Sequence, residues 1–288
     1  MLKKRVIGVV LVREGIAVQS IGFRHFLPIG QPGIVIEYLN RWGIDEVTLL
    51  DIDATPRGRP PDFSLVREVS VHGQMPLAVG GGIRDISHIR RIIESGADKV
   101  VINSAAGNPA LLSEGADRFG SQCIVVSIDA RRNPDGGYSS FTSSGMKPTG
   151  HSPAEAAEIA EDAGAGEILL TSIDRDGSGK GYDLDLIRSV AEEVRIPVVA
   201  CGGAGGPDHL LQAMSLGISG AAAANYFNFT EHSVITTKRY LSDHGVDLRL
   251  DTHATYPGVR FTARGRVGKL DDSALQGLRF VYIPEEKI

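Results

Sequence analysis

Gly164-Ala165-Gly166-Glu167-Ile168-Leu169-Leu170-Thr171-Ser172-Ile173-Asp174-Arg175-Asp176-Gly177 holds an unbroken apolar run between two glycine turns. The apolar residues are consecutive and do not alternate with polar ones, which is how a parallel strand covered on both faces reads. The run at 167–172 has counterparts at 6–12, 46–52, 76–79, 99–103, 123–128, 197–201 and 220–224. Helix-like segments separate them. Val35, Tyr38, Leu39 and Trp42 share a face ahead of Gly43, a C-terminal stop. Asp85 precedes Ile86, Ile89 and Ile93 at helical spacing, and Gly96 closes that segment. Ser152-Pro153 offers an N-cap followed by proline at the first helical position. Strict alternation of strand and helix predicts an α/β fold, a (βα)8 TIM barrel over residues 1–250. An open doubly wound sheet is the alternative, but no Gly-x-Gly-x-x-Gly motif follows the first strand.

The chain also repeats itself. Val79-Gly80-Gly81-Gly82 returns as Ala200-Cys201-Gly202-Gly203, and Leu49-Leu50-Asp51-Ile52-Asp53 as Thr171-Ser172-Ile173-Asp174-Arg175. Gly96-Ala97-Asp98-Lys99 likewise corresponds to Gly217-Ile218-Ser219-Gly220. Two half-barrels of four βα units each would produce this pattern. Residues 251–288 break it and read as a C-terminal extension: a lid, an interface arm or a solvated appendage. They carry a turn at Tyr256-Pro257-Gly258, a basic stretch with Arg260, Arg264, Arg266 and Lys269, and a possible strand at 278–283.

At 288 residues, 42% hydrophobic and 23% charged, the chain can bury a large core without disulfides or metal staples. Thirty basic against 35 acidic residues leave a net charge of -5, which argues against a nucleic-acid binder and a polybasic membrane anchor. No apolar run approaches the ~18 residues of a membrane span, and Met1-Leu2-Lys3-Lys4-Arg5 leads into too short a run for one. Cys123 and Cys201 each sit in apolar runs and read as buried thiols. The expected compartment is the cytoplasm.

In such a barrel the active site forms at the C-terminal strand ends, so polar residues there carry the most weight. Those ends supply Asp51, Gly81, Gly82, Asn103, Asp129, Thr171, Asp174, Asp176, Gly202, Gly203 and Asn225. Glycine turns let backbone N–H groups approach an anion. Gly80–Gly82 with Asn103-Ser104, and Asp176-Gly177 with Gly202-Gly203 and Ala224-Asn225, form two such cups, suited to a ligand with two phosphates. Alternatively the glycines serve only tight turns. Asp129 ends an apolar strand, where an ionised carboxylate is costly unless it faces the barrel mouth; this makes it the candidate acid–base group. A turn or cap role competes. Asp51 is weaker because Asp53 beside it could serve as a cap. The histidines form no ligand cluster, and no cofactor or metal motif is present. At the opposite ends, Arg5, Glu46, Lys99 and Glu167 could pair around the barrel axis, either as a salt-bridge plug or as a gate.

Across residues 1–250 the chain resembles the cyclase subunit of imidazole glycerol phosphate synthase. The resemblance lies in Lys4-Arg5-Val6-Ile7, Gly43-Ile44-Asp45-Glu46, Val79-Gly80-Gly81-Gly82-Ile83, Gly96-Ala97-Asp98-Lys99-Val100 and the stretch 164–177. It implies a glutaminase subunit docked at the barrel base near Asp98 and ammonia crossing the barrel through the gate Arg5, Glu46, Lys99 and Glu167. It also implies phosphate-binding positions at Gly82, Asn103, Asp176, Gly177, Gly203 and Ala224, with Asn225 where the family usually has serine; Ser144 joins the substrate-binding set. Asp129 matches the catalytic aspartate of the fifth strand. At the matching position of the first strand this chain has Leu11, which cannot exchange a proton; losing an acid–base group costs about 10²–10⁴-fold. The family's nearby substrate-binding lysine corresponds to Gln19.

Leu11, Val18-Gln19-Ser20, Leu50-Asp51-Ile52-Asp53-Ala54-Thr55 and Arg59-Pro60-Pro61-Asp62-Phe63 are similar to the acetamidino sugar-modification branch of that family. This branch works with a glutaminase and a separate sugar amidotransferase or ligase on a nucleotide-linked sugar. The expected role is therefore a synthase subunit of a glutamine amidotransferase system, channelling ammonia for amidination of an N-acetyl group. A genuine histidine-pathway cyclase and a non-catalytic conduit that activates the glutaminase are the alternatives.

Overall fold

The computed structural model describes residues 3–230, 232–250, 260–262, 266–268 and 271–277. The apolar runs form eight parallel strands: β1 Arg5–Arg13, β2 Glu46–Asp51, β3 Leu77–Gly80, β4 Lys99–Ile102, β5 Ile124–Arg132, β6 Glu167–Ser172, β7 Val198–Cys201 and β8 Gly220–Ala223. Each pairs with its sequence neighbours, β8 pairs with β1, and β5 pairs with β6, so the sheet closes on itself. The fold is the (βα)8 barrel. Helices α1 Pro32–Arg41, α2 Phe63–Ser70, α3 Ile86–Glu94, α4 Pro109–Phe119, α5 Pro153–Asp162, α6 Leu184–Ala191 and α7 Pro207–Met214 connect the strands. The short α8 Asn225–Phe229 and α9 Ser233–Asp243 follow β8.

The two-residue period of a strand sorts the apolar runs into two cores. Ile7, Val9, Ala78, Val101, Val125, Leu169, Val199 and Ala222 point inward and fill the barrel. Their neighbours in sequence, among them Val6, Val10, Val47, Val100, Val126 and Ile168, point outward and bury the helices. The same parity places Arg5, Glu46, Lys99 and Glu167 at the inner base, and Leu11, Asn103, Asp129 and Thr171 at the inner top. No helix among the described residues is long and apolar enough to cross a membrane.

Local signals hold at most helix ends. The Asp85 carboxylate accepts from the N–H groups of Ser87 and His88, and Ser152 with Glu155 forms a reciprocal capping box. Gly43 has φ +77 just past α1. The buried stripe of α1 includes Val35, Ile36 and Leu39, however, while Tyr38 faces out at 52% exposure, because at about 100° per residue position 38 falls outside the arc that 32, 36 and 39 share. In α3 the second buried isoleucine is Ile92, with Ile93 only partly covered.

Two departures matter for the mouth. After β1 the chain forms an antiparallel hairpin, Ile16–Ile21 with His25–Gly30, in addition to the eight barrel strands. Strand β5 runs four residues beyond the expected end at 128, to Arg132, and pairs with a further strand, Tyr138–Thr142. Asp129 therefore sits inside a ladder, opposite Thr171 on one side and Phe141 on the other. In the extension, Phe261 and Val267 form an antiparallel bridge, and Asp272–Gly277 is helical. The expected turn at 256–258, Arg264, Lys269 and the expected strand at 278–283 lie outside the described residues.

Candidate functional site

At the base, four charges from β1, β2, β4 and β6 meet. Arg5 donates from Nη1 to Glu46 Oε2 at 2.6 Å and from Nη2 to Glu167. Lys99 Nζ lies 2.9 Å from Glu46 Oε2 and 2.7 Å from Glu167 Oε2. Each cation bridges both carboxylates, so the four form a closed ring. Its carboxylates are nearly buried, at 5% and 6%, while Arg5 and Lys99 keep 24% and 17% exposure toward the base. Burial works to lower the Arg5 pKa, but Glu167 and Glu46 outweigh it and raise the value. Burial likewise pushes Glu167 up, and Arg5 with Lys99 more than reverses this. Asp98 stands beside Lys99 at the base; its Oδ2 accepts the Leu77 N–H at 2.8 Å, so one of its oxygens is committed locally.

Above the ring lie the inward apolar residues, and above these a mouth cavity of about 120 Å³. Its lining is chemically mixed. Leu11, Ile52, Ile83, Phe23 and Phe26 supply apolar groups, the two phenylalanines coming from the hairpin. Asn103, Asp129, Thr171 and Asp176 supply polar ones. Asn103 Nδ2 donates to Ser127 O at 3.0 Å and to Asp129 Oδ2 at 3.3 Å. Burial, with the Asp176 carboxylate nearby adding repulsion, pushes Asp129 up to about 7. A carboxyl poised there can give and take a proton near neutrality. Cys201 lines the same cavity instead of lying in the plain core, and burial raises its thiol to about 12, which keeps it protonated.

Asp51 has its own local duty: Oδ1 accepts from Asp53 N at 3.0 Å and Ala54 N at 3.1 Å, and Arg59 Nη1 lies 3.5 Å from Oδ2. Asp51, not Asp53, is thus the turn-capping carboxylate, while Asp53 faces Arg13 and Arg57. Burial raises the Asp51 pKa despite those donors. Glu14 is exposed and paired with Arg57, away from the cavity.

The hairpin is fastened across the mouth. Asp176 Oδ2 accepts from Ser20 Oγ at 2.6 Å and from Phe23 N at 3.1 Å, its backbone oxygen accepts from Gly22 N, and Asn225 Nδ2 donates to Ser20 O at 2.8 Å. This contact changes the second glycine cup. Gly81, Gly82, Asn103, Ser144, Asp176 and Ala224 reach the cavity, with Ser144 Oγ donating to Ile52 O at 3.1 Å. Gly177, Gly202, Gly203 and Asn225 do not line it: the hairpin backbone at Ser20 covers Gly177, and Gly202 packs on Ser172 O. In the first cup Gly82 has φ +74, and a Cβ there would stand 2.6 Å from Arg59 O, so backbone alone fits. Phe23, Phe26 and Ser20 are the mouth residues that strand-end reasoning missed, since they come from a hairpin far from any strand end.

A family model described as histidine biosynthesis protein matches residues 5–233. The chain belongs to that family. The match covers every barrel strand and ends where α9 begins, so the extension lies outside it. As a member of the histidine biosynthesis family, the chain is a barrel of an enzyme type, with the family's closed parallel barrel and a mouth in which Leu11 stands at the end of β1.

Proposed function

We propose that this member of the histidine biosynthesis family is the synthase subunit of a glutamine amidotransferase system. A glutaminase at the base releases ammonia, the ring of Arg5, Glu46, Lys99 and Glu167 admits it, and the apolar barrel interior conducts it. Neutral ammonia crosses such an interior far more cheaply than ammonium, because an unpaired charge there loses its hydration. At the mouth the ammonia is delivered to a carbonyl-derived acceptor, the N-acetyl group of a nucleotide-linked sugar. With a separate amidotransferase or ligase, the ammonia nitrogen bonds to the amide carbon while the C–O bond breaks and the oxygen leaves as water, giving the acetamidino group.

The observation that carries this reading is the pairing of an intact base ring with an altered mouth. The base keeps all four charges in mutual contact. The mouth has Leu11 where a carboxylate would serve cyclisation, and Leu11 lines the cavity together with Ile52 and Phe26, apolar groups suited to an acetyl methyl. Asp129 would serve as the proton-transfer group. The second reading, a genuine imidazole glycerol phosphate cyclase, is favoured by the first glycine cup and by Asp129 with Asp176. The deciding experiment offers ammonia and the phosphoribulosyl formimino substrate to the wild type and to Leu11→Asp. No wild-type turnover is expected; robust turnover overturns the sugar reading. Glutaminase stimulation without any acceptor would instead mark a non-catalytic conduit.

A further inference from the structure

A second cleft opens outside the barrel mouth, with a volume of about 940 Å³ against about 120 Å³ for the mouth cavity. It lies between the β6–α6 loop, the start of α7, the α8–α9 junction and the bridge segment of the C-terminal extension. This size falls in the range of about 300–1,000 Å³ that small-molecule sites occupy. The enclosed part of the mouth cavity lies below that range.

The chemistry of the cleft is specific. Lys180 and Arg266 both line it, and neither makes an ion pair among the described residues. Arg266 comes from the extension, whose purpose the barrel itself does not explain. His209 Nδ1 accepts the Gly205 N–H at 3.1 Å, which leaves Nε2 as the nitrogen that carries hydrogen; Nε2 lies 3.9 Å from Asp208, the cleft's acidic member. Phe229 stands 61% exposed on the wall. An exposed aromatic ring in one cleft with two cations that make no ion pair among the described residues, on a protein of net charge -5, fits a ligand that is both anionic and planar.

We propose that this cleft binds the nucleoside phosphate of a ligand, with Lys180 and Arg266 on phosphate oxygens and Phe229 stacked on the base. The site assignment stands on the cleft alone; its use as the handle of the acceptor rests on the nucleotide-linked sugar reading. The two places are close enough for one molecule. Ala224 lines the mouth cavity and Tyr226 lines the cleft, and the two-residue step from one to the other spans at most about 7 Å.

The test is calorimetric titration of the full chain with uridine diphosphate, alongside inorganic phosphate. Uridine diphosphate is expected to bind, and Phe229→Ala and Lys180→Ala each to weaken it about tenfold. Both side chains are exposed, so neither variant threatens the fold. Asp129→Asn, in the mouth, is expected to change the affinity by less than about twofold. Absence of binding, equal affinity in the Phe229 and Lys180 variants, loss of binding in Asp129→Asn, or phosphate binding as tightly as the nucleotide would each overturn the assignment. Failure of sugar amidination with nucleotide binding intact would refute the acceptor reading and leave the cleft standing.

Discussion

Asp129→Asn tests the mouth electrostatics by a route independent of any substrate. Asp129 is 8% exposed and its pKa rises from 3.8 to about 7, chiefly through burial and then through Asp176. Between these values the folded chain holds a proton that the unfolded chain has released, so stability falls as pH rises through that window and levels off above about 7. The interval corresponds to a full cost of about 4 kcal/mol, of which less than half has accrued by about pH 5. Asparagine keeps the shape and can still accept from Asn103 Nδ2, which lies 3.3 Å from Asp129 Oδ2, but it carries no charge at any pH. The variant is therefore more stable than the wild type, and its advantage widens by about 2–3 kcal/mol from about pH 5 to about pH 8.5. Urea unfolding followed by circular dichroism at several pH values measures this. A constant difference across the range, or a variant less stable than wild type at the alkaline end, would refute the reasoning.

Three further perturbations probe other parts of the chain. Lys99→Ala or Arg5→Ala, assayed with the glutaminase bound, raises glutamine consumed per nitrogen transferred while the circular dichroism spectrum stays unchanged; normal coupling in both variants sinks the gate assignment. Lys238→Met removes the buried partner of Asp45, whose Oδ1 lies 2.5 Å from Lys238 Nζ, and costs about 3–5 kcal/mol, read as a lower urea midpoint. Ser20→Ala deletes the hydroxyl donated to Asp176 and loosens the hairpin, so trypsin cleaves after the exposed Arg24 about tenfold faster; an unchanged rate means the remaining bonds from Phe23 and Asn225 suffice.

The barrel was legible in the sequence because doubly covered strands leave consecutive apolar letters, and strand ends follow from where those letters stop. The same rule hid the extension of β5, since Ala130-Arg131-Arg132 stays in the ladder after the apolar letters end. Arg131 makes this possible by lying over the Phe141 ring, a contact no local pattern announces. The hairpin after β1 escapes the same rule for a related reason: Ile16–Ile21 is short and neither continuously apolar nor alternating, and its partner strand contains Pro28. Residues whose duty is set by strand parity, such as Asp129 and the base ring, could be named in advance. Asp176 and Asn225 could be located but not understood, because their hydrogen-bond partners lie 156 and 205 residues away.

The base ring also constrains how the chain is made. Arg5 and its partner Glu167 stand 162 positions apart in the chain. Without Glu167 the two cations of the ring would face Glu46 alone, which leaves one positive charge uncompensated. Closure must wait for β6, and the Lys238–Asp45 contact waits longer still, with 193 positions between its partners. Pairings of such long sequence separation slow folding. The ring thus ties the first strand of the barrel to the sixth, and it is complete only when both halves of the barrel are present.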